Sequence, residues 1–150
     1  MPNLDLTRLT KNNLLHIIKA SVGSDMFKHI YVKDRNSRQF DAAENGNKSC
    51  AYHTSGVLAL VGLIDKPHAT VGTVLKAMRQ AGWTEVEKPV PGAIVLWRGT
   101  ENQISHSGFY LKKDSYVSNS SEQGHPISHG SILSDGRAPS KYYVHPELLK

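Results

Sequence analysis

The chain holds one cysteine and eight histidines, and these are the side chains whose chemistry stands out. Cys50 opens the stretch Cys50-Ala51-Tyr52-His53-Thr54-Ser55-Gly56-Val57-Leu58. A polar, turn-rich segment, Asp41 to Asn47, precedes it. After it, Val57, Leu58, Leu60, Val61 and Ile64 recur at helical spacing. The pattern predicts a buried helix over 50–64 with Cys50 in its first turn. Unpaired N–H groups and the helix dipole favour an anion there, so a lowered thiol pKa and a reactive thiolate are expected. Such a nucleophile needs an imidazole to take and return its proton, a polar group to hold that imidazole, and donors for an oxyanion. The N–H of Cys50 can be one donor; a side-chain donor is expected within 31–47.

The histidines differ in what their surroundings suit. His16 falls on or beside the apolar stripe of an N-terminal helix, which suits packing. His53 shares a helix face with Cys50, where a pair aligns poorly for in-line proton transfer. His29, His68 and His145 lie in irregular or terminal segments and are expected to be solvated. His125 and His129 have the i,i+4 spacing of a metal pair on a helix. Gly124, Pro126 and Gly130 break that helix and no acidic residue stands between them, so no metal and no cofactor is expected. His106 begins a strand, from which its ring can face a helix N-terminus packed on the sheet, and it is the expected base.

The elements that must position these residues follow from periodicity and punctuation. Leu9, Leu14, Ile17 and Ile18 form the stripe of a helix over 7–22, with Thr7 or Asp5 as cap and Gly23 after its end. Phe27, Ile30, Tyr31 and Val32 mark a short ordered piece before the polar loop 34–38. The cysteine helix stops near Asp65-Lys66-Pro67. Thr70 caps a third helix through Val71, Val74, Leu75 and Met78, closed by Gly82. Pro89-Val90-Pro91-Gly92 breaks the pattern, and strands are expected over 93–97, 106–111 and 115–119, the last two joined by a turn at Lys112-Lys113-Asp114. Two weaker strands are expected near 127–133 and 141–144. Helices followed by an antiparallel meander predict an α+β fold over one domain, 1–150, helical to about 85 and sheet over about 90–145.

Cys50 at a helix start, Pro91-Gly92-Ala93-Ile94-Val95-Leu96-Trp97, and His106-Ser107-Gly108-Phe109-Tyr110-Leu111 with a short return strand together resemble the NlpC-type and CHAP-type cell-wall hydrolases of the papain-like superfamily. The resemblance spans roughly 40–133. Permuted relatives such as the lecithin–retinol acyltransferase-like proteins carry histidine before cysteine, the reverse of the order here. The resemblance implies a papain-like arrangement, with the cysteine helix packed on the antiparallel sheet. It implies thiolate attack by Cys50 on an amide carbonyl, with His106 as base and then acid. It also puts a third polar residue on the strand after the histidine strand. Ungapped strand alignment gives Ser118, a weaker orienter than the histidine many relatives carry. A one-residue bulge gives Asn119, and His125 or His129 on the next segment is a further possibility. Ala93 stands where relatives usually carry an acid, and Cys50-Ala51-Tyr52 where they carry Cys-Ser-Gly; both departures bear on specificity.

Composition bounds the rest. Of 150 residues, 39% are hydrophobic and 21% charged, enough for a real core. One cysteine excludes a disulfide framework. The net charge of +5 and pI of about 9.4 favour anionic partners. The charge is spread along the chain with no basic block and no interleaved aromatics, so nucleic-acid binding is not expected. No apolar stretch has the length of a membrane span. No charged segment followed by an apolar one opens the sequence, so synthesis without a signal peptide is expected, the protein remaining cytoplasmic or leaving by lysis, a holin or an injection apparatus. The expected activity is a bacteriolytic cysteine peptidase or amidase cutting amide bonds in the peptide part of peptidoglycan, as in a phage-type lysin or a secreted effector with a possible immunity or inhibitor protein. The alternatives are an intracellular cysteine hydrolase of the same fold, acting on an isopeptide, thioester or acyl substrate, and a binding domain without catalysis.

Overall fold

The computed structural model describes residues 5–150, and its elements form an α+β fold. Three helices, α1 (Thr10–Ser21), α2 (Cys50–Leu60) and α3 (Val71–Gln80), accompany eight strands: β1 (Tyr31–Lys33), β2 (Gln39–Asp41), β3 (Thr84–Val86), β4 (Ile94–Trp97), β5 (His106–Lys112), β6 (Ser115–Ser120), β7 (His125–His129) and β8 (Lys141–Val144). β1 and β2 pair only with each other. The other six form one antiparallel sheet in the order β3-β8-β4-β5-β6-β7.

The helices keep their predicted places with shifted ends. α1 starts at Thr10 with no side-chain cap, so neither Thr7 nor Asp5 serves. Gly23 follows it at φ +77°, a conformation that glycine adopts without a Cβ penalty. α2 stops at Leu60, short of the expected 64, and residues 61–66 turn. Thr70 caps α3 as expected, its hydroxyl accepting from Thr73 N–H at 3.2 Å. Two corrections fall on the sheet. The supposedly helical part contains the β1–β2 hairpin and also β3, which pairs with β8. The strand expected near 127–133 runs instead over 125–129. Pro126 is tolerated because β7 is an edge strand.

Strand alternation divides the sheet's side chains between two faces. Ile94, Leu96, Phe109, Val117 and Tyr143 join Leu14, Ile18, Val57, Leu58, Val74 and Met78 of the helices in the main core. Fully burying each of the large aliphatic side chains is worth about 1.5–3 kcal/mol. Val95, Trp97 and Tyr116 form a second cluster on the other face, with Tyr110, Leu133 and Tyr142 against it. β4 is buried along its whole length because both faces are covered. Among the described residues no helix is long and apolar enough to cross a membrane.

Candidate active site

The turn before Cys50 is held by one carboxylate. Asp41 accepts from the N–H groups of Ile30, Ala43 and Asn45 and pairs with His29 at 2.7 Å. Burial pushes this carboxyl up. His29 and the three N–H groups outweigh it, and the carboxyl lies well below the usual range. Gly46, at φ +86°, abuts the β6–β7 turn so closely that a Cβ there would run into the Gly124 carbonyl. Ser49 precedes the helix but does not cap it; its hydroxyl donates to the Phe27 carbonyl. The first N–H groups of α2 are therefore left to the thiol or to a ligand.

Cys50 is buried and packs against β5. Thr54 Oγ1 donates to the Cys50 carbonyl at 2.9 Å and takes a bond from Ser107 Oγ at 2.9 Å. Ser107 thus pins the cysteine turn to the sheet. Burial pushes the Cys50 thiol above its ordinary range, against the opposing pull of the Ser107, Ala51 and Cys50 N–H groups and the Ser107 hydroxyl. The expected lowering is corrected: desolvation exceeds the helix-terminus effect here. Cys50 opens on a cleft with Ala42, Ala51, Val71, Gly72, Ile104 and Ser105 among its walls. From 31–47 only Ala42 reaches that cleft, so the expected side-chain oxyanion donor is not found there; Lys48, paired with Glu44 at 3.2 Å, also lines it.

β5 presents Ser107 and Phe109 to α2. His106, Gly108 and Tyr110 consequently face the other side. There the His106 ring lies 5.4 Å from the Trp97 ring, and its Nε2 is 2.9 Å from Ser118 Oγ. Gly108 makes this approach possible, since a Cβ would strike Ser118 and crowd the Trp97 ring. Ser118 Oγ in turn lies 2.6 Å from His129 Nε2, and His129 Nδ1 is 2.6 Å from the Gly130 carbonyl. Burial, then the proximity of His129 and Arg137, pushes His106 down to about 4. The ring is therefore neutral at pH 7, and its surroundings oppose its charged form.

The sequence-predicted residues are thus only partly brought together. His106, Ser118 and His129 form one hydrogen-bonded chain. Asn119 does not join it: its side chain lies on the α2 side of β6 and its Nδ2 donates to the Gly46 carbonyl at 2.7 Å. His125 bonds its neighbour's carbonyl, Pro126, at 2.9 Å and lies opposite Ser120. Among the described residues no hydrogen bond joins the Cys50 thiol to the His106 ring, and the two line different clefts on either side of the Ser105–His106 step. His106 is the first residue of its strand and Cys50 the first of its helix.

Sequence reasoning missed Arg137. It grips Asp135 and donates through Nη1 to the carbonyls of Trp97, Arg98 and Ile104, fixing the loop that leads into His106. Its partners are backbone carbonyls about 33–40 positions away, which no local pattern announces. The sequence likewise left His145 to solvent. Instead the ring packs on Trp83 at 5.6 Å and its Nε2 caps α3 by donating to the Ala81 carbonyl at 3.0 Å. Among the described residues no group of three His, Cys, Asp or Glu side chains could hold a metal ion. A scan of protein-family models finds none that matches this chain, and a search of curated proteins finds no significant match.

Proposed function

We propose that this chain is a cysteine peptidase or amidase that hydrolyses amide bonds in the peptide part of peptidoglycan. The observation that carries the reading is that the first two residues of β5 hold both groups: Ser107 pins the first turn of α2, which carries Cys50, and His106 is a neutral histidine bonded to Ser118 on the strand's other face. The Pro-Gly strand and the His-Ser-Gly strand give it a papain-like cast, and the charge of +5 suits an anionic wall.

The reaction starts from a neutral thiol and a neutral imidazole. A substrate carbonyl enters the cleft at Cys50. His106 takes the thiol proton on Nδ1 as Sγ attacks the carbonyl carbon, and the oxyanion turns to the N–H at the start of α2. The tetrahedral species collapses, the C–N bond breaks, and the amine leaves with the proton from His106. Water then attacks the thioester, passing a proton to His106, which returns it to Cys50 Sγ as the carboxylic acid departs. This requires the imidazole and the thiol to close to hydrogen-bond reach when substrate is bound, a tightening common between resting enzymes and their complexes.

Digestion of purified peptidoglycan sacculi, wild type against Cys50→Ala, with mass spectrometry of the released fragments, tests the reading. New fragments from wild type alone support it and identify the bond cut. Silence from both, with Cys50 reactive toward iodoacetamide, moves the activity to an isopeptide, thioester or acyl substrate. Silence with an unreactive Cys50 leaves a binding domain.

A further inference from the structure

We propose that His129 is a positioning residue for this reaction, setting the tautomer of His106 through the Ser118 hydroxyl so that Nδ1 of His106 is left as the bare base. The inference rests on the hydrolase reading for its purpose and on hydrogen-bond direction for its content. A carbonyl oxygen only accepts. At 2.6 Å from the Gly130 carbonyl, His129 Nδ1 therefore carries the proton. The other nitrogen of a neutral ring is then an acceptor, and the Ser118 hydroxyl, 2.6 Å from it, donates to it. A hydroxyl has one proton. With that proton committed to His129, Ser118 Oγ accepts from His106 Nε2 at 2.9 Å. His106 Nε2 is thus protonated, and Nδ1 of a neutral ring carries the lone pair.

This resolves the weakness of a serine in the orienting position. Alone, the Ser118 hydroxyl rotates, and it can donate to His106 Nε2 as readily as accept from it. One direction gives the base, the other the useless tautomer. The direction is imposed two residues further along, by a backbone carbonyl that cannot donate. The ring of His129 is held for this by its stack on Tyr116, 6.2 Å between centroids and 18° between planes, and by Trp97 at 5.7 Å.

The relay also has a reverse state. A doubly protonated His129 donates from both nitrogens, turns the Ser118 hydroxyl toward His106 Nε2, and drives the His106 proton to Nδ1. The groups around His129 are His106 from β5, Tyr116 from β6, and Glu122, Asp135 and Arg137 in the cleft that it lines with His106. Its own burial opposes that charging.

The test uses the full chain labelled with ¹⁵N-histidine and long-range imidazole spectra at neutral pH. The expected wild-type pattern is a proton on Nδ1 of His129 and on Nε2 of His106. His129→Gln keeps an acceptor for Ser118 and should keep the His106 pattern. His129→Leu removes the acceptor and should shift His106 toward the Nδ1–H form, with kcat on sacculi reduced about 10–100-fold and KM little changed. A proton on Nδ1 of His106 in wild type, or a His106 pattern unmoved by His129→Leu, overturns the proposal. The spectra are read without turnover. A wild type inert toward sacculi but with the expected pattern overturns the substrate reading alone, and digestion by a wild type with Nδ1–H on His106 overturns the relay alone.

Discussion

Two imidazoles are held on opposite sides of β5, and each is bonded through Nε2 to a serine at 2.9 Å, His53 to Ser21 and His106 to Ser118. Both are pushed below the ordinary histidine range chiefly by burial, His53 to about 3 and His106 to about 4. Their surroundings set them apart. Ser21 spends its proton on the Ile18 carbonyl, so its bond to His53 leads nowhere; the ring is fully buried between Phe27 and Phe109, its Nδ1 enclosed and unpartnered. Ser118 passes its bond on to His129, and His106 lies in a cleft at the end of its strand. A depressed pKa thus marks burial in both cases and points to chemistry only where the neighbours continue the chain and the ring can be reached.

The sharpest way to break this contrast is to remove each partner in turn. Cys50→Ala and His106→Ala should each reduce kcat/KM at least about a thousandfold, with little change in melting temperature. A His106→Ala variant that retains activity would make His106 a packing residue like His53. The opposite pattern is expected of His53→Ala: about 2–4 kcal/mol lost in urea unfolding, from the cavity left among Phe27, Phe109 and Ser21, and near-normal turnover per folded molecule. Ser118 and Asn119, adjacent on β6, sharpen the comparison further. Ser118→Ala should cost about 10–100-fold in activity and little stability. Asn119→Ala should cost about 1–3 kcal/mol, because the Gly46 carbonyl loses its donor, and should leave activity within a few-fold.

Acid should act on both rings in the same direction. Each binds fewer protons folded than unfolded between its folded value and the unfolded one near 6.5. The contribution of these two rings is therefore level above about pH 6.5 and falls as pH drops from there toward 3–4. Urea midpoints measured across that range should show the fall, with a gentler slope in His53→Phe. A midpoint that rises on acidification would contradict the neutral buried state of these rings.

Much of this arrangement was legible in the sequence where local pattern decides. The cysteine helix, the Thr70 cap and strands β4 to β6 follow from apolar spacing and turn residues. β3 escaped notice because it is three residues long, with Thr84 and Glu85 exposed, and it exists only by pairing with β8. The start of β7 was hidden by Pro126, which an edge strand tolerates. Ser118 was reachable by counting along paired strands. The choice between Ser118 and Asn119 was not, because it depends on the register Phe109 opposite Val117, and a slip of one residue exchanges the two faces. The thiol's raised pKa was out of reach for a similar reason: the helix terminus is visible in sequence, whereas the depth at which Ser107 and Thr54 hold it is a tertiary fact.

Cys50 and His106, the first residues of α2 and β5, are proposed to act on one proton. The most direct measurement is the rate of Cys50 alkylation by iodoacetamide across pH 4–10, in wild type and in His106→Ala. If His106 serves the thiol, wild type reacts faster than the variant at neutral pH, and the two profiles converge only at alkaline pH, where the thiol ionises unaided. Coincident profiles, each with a single inflection above the ordinary cysteine range, would contradict the claim and leave Cys50 a buried thiol without a base.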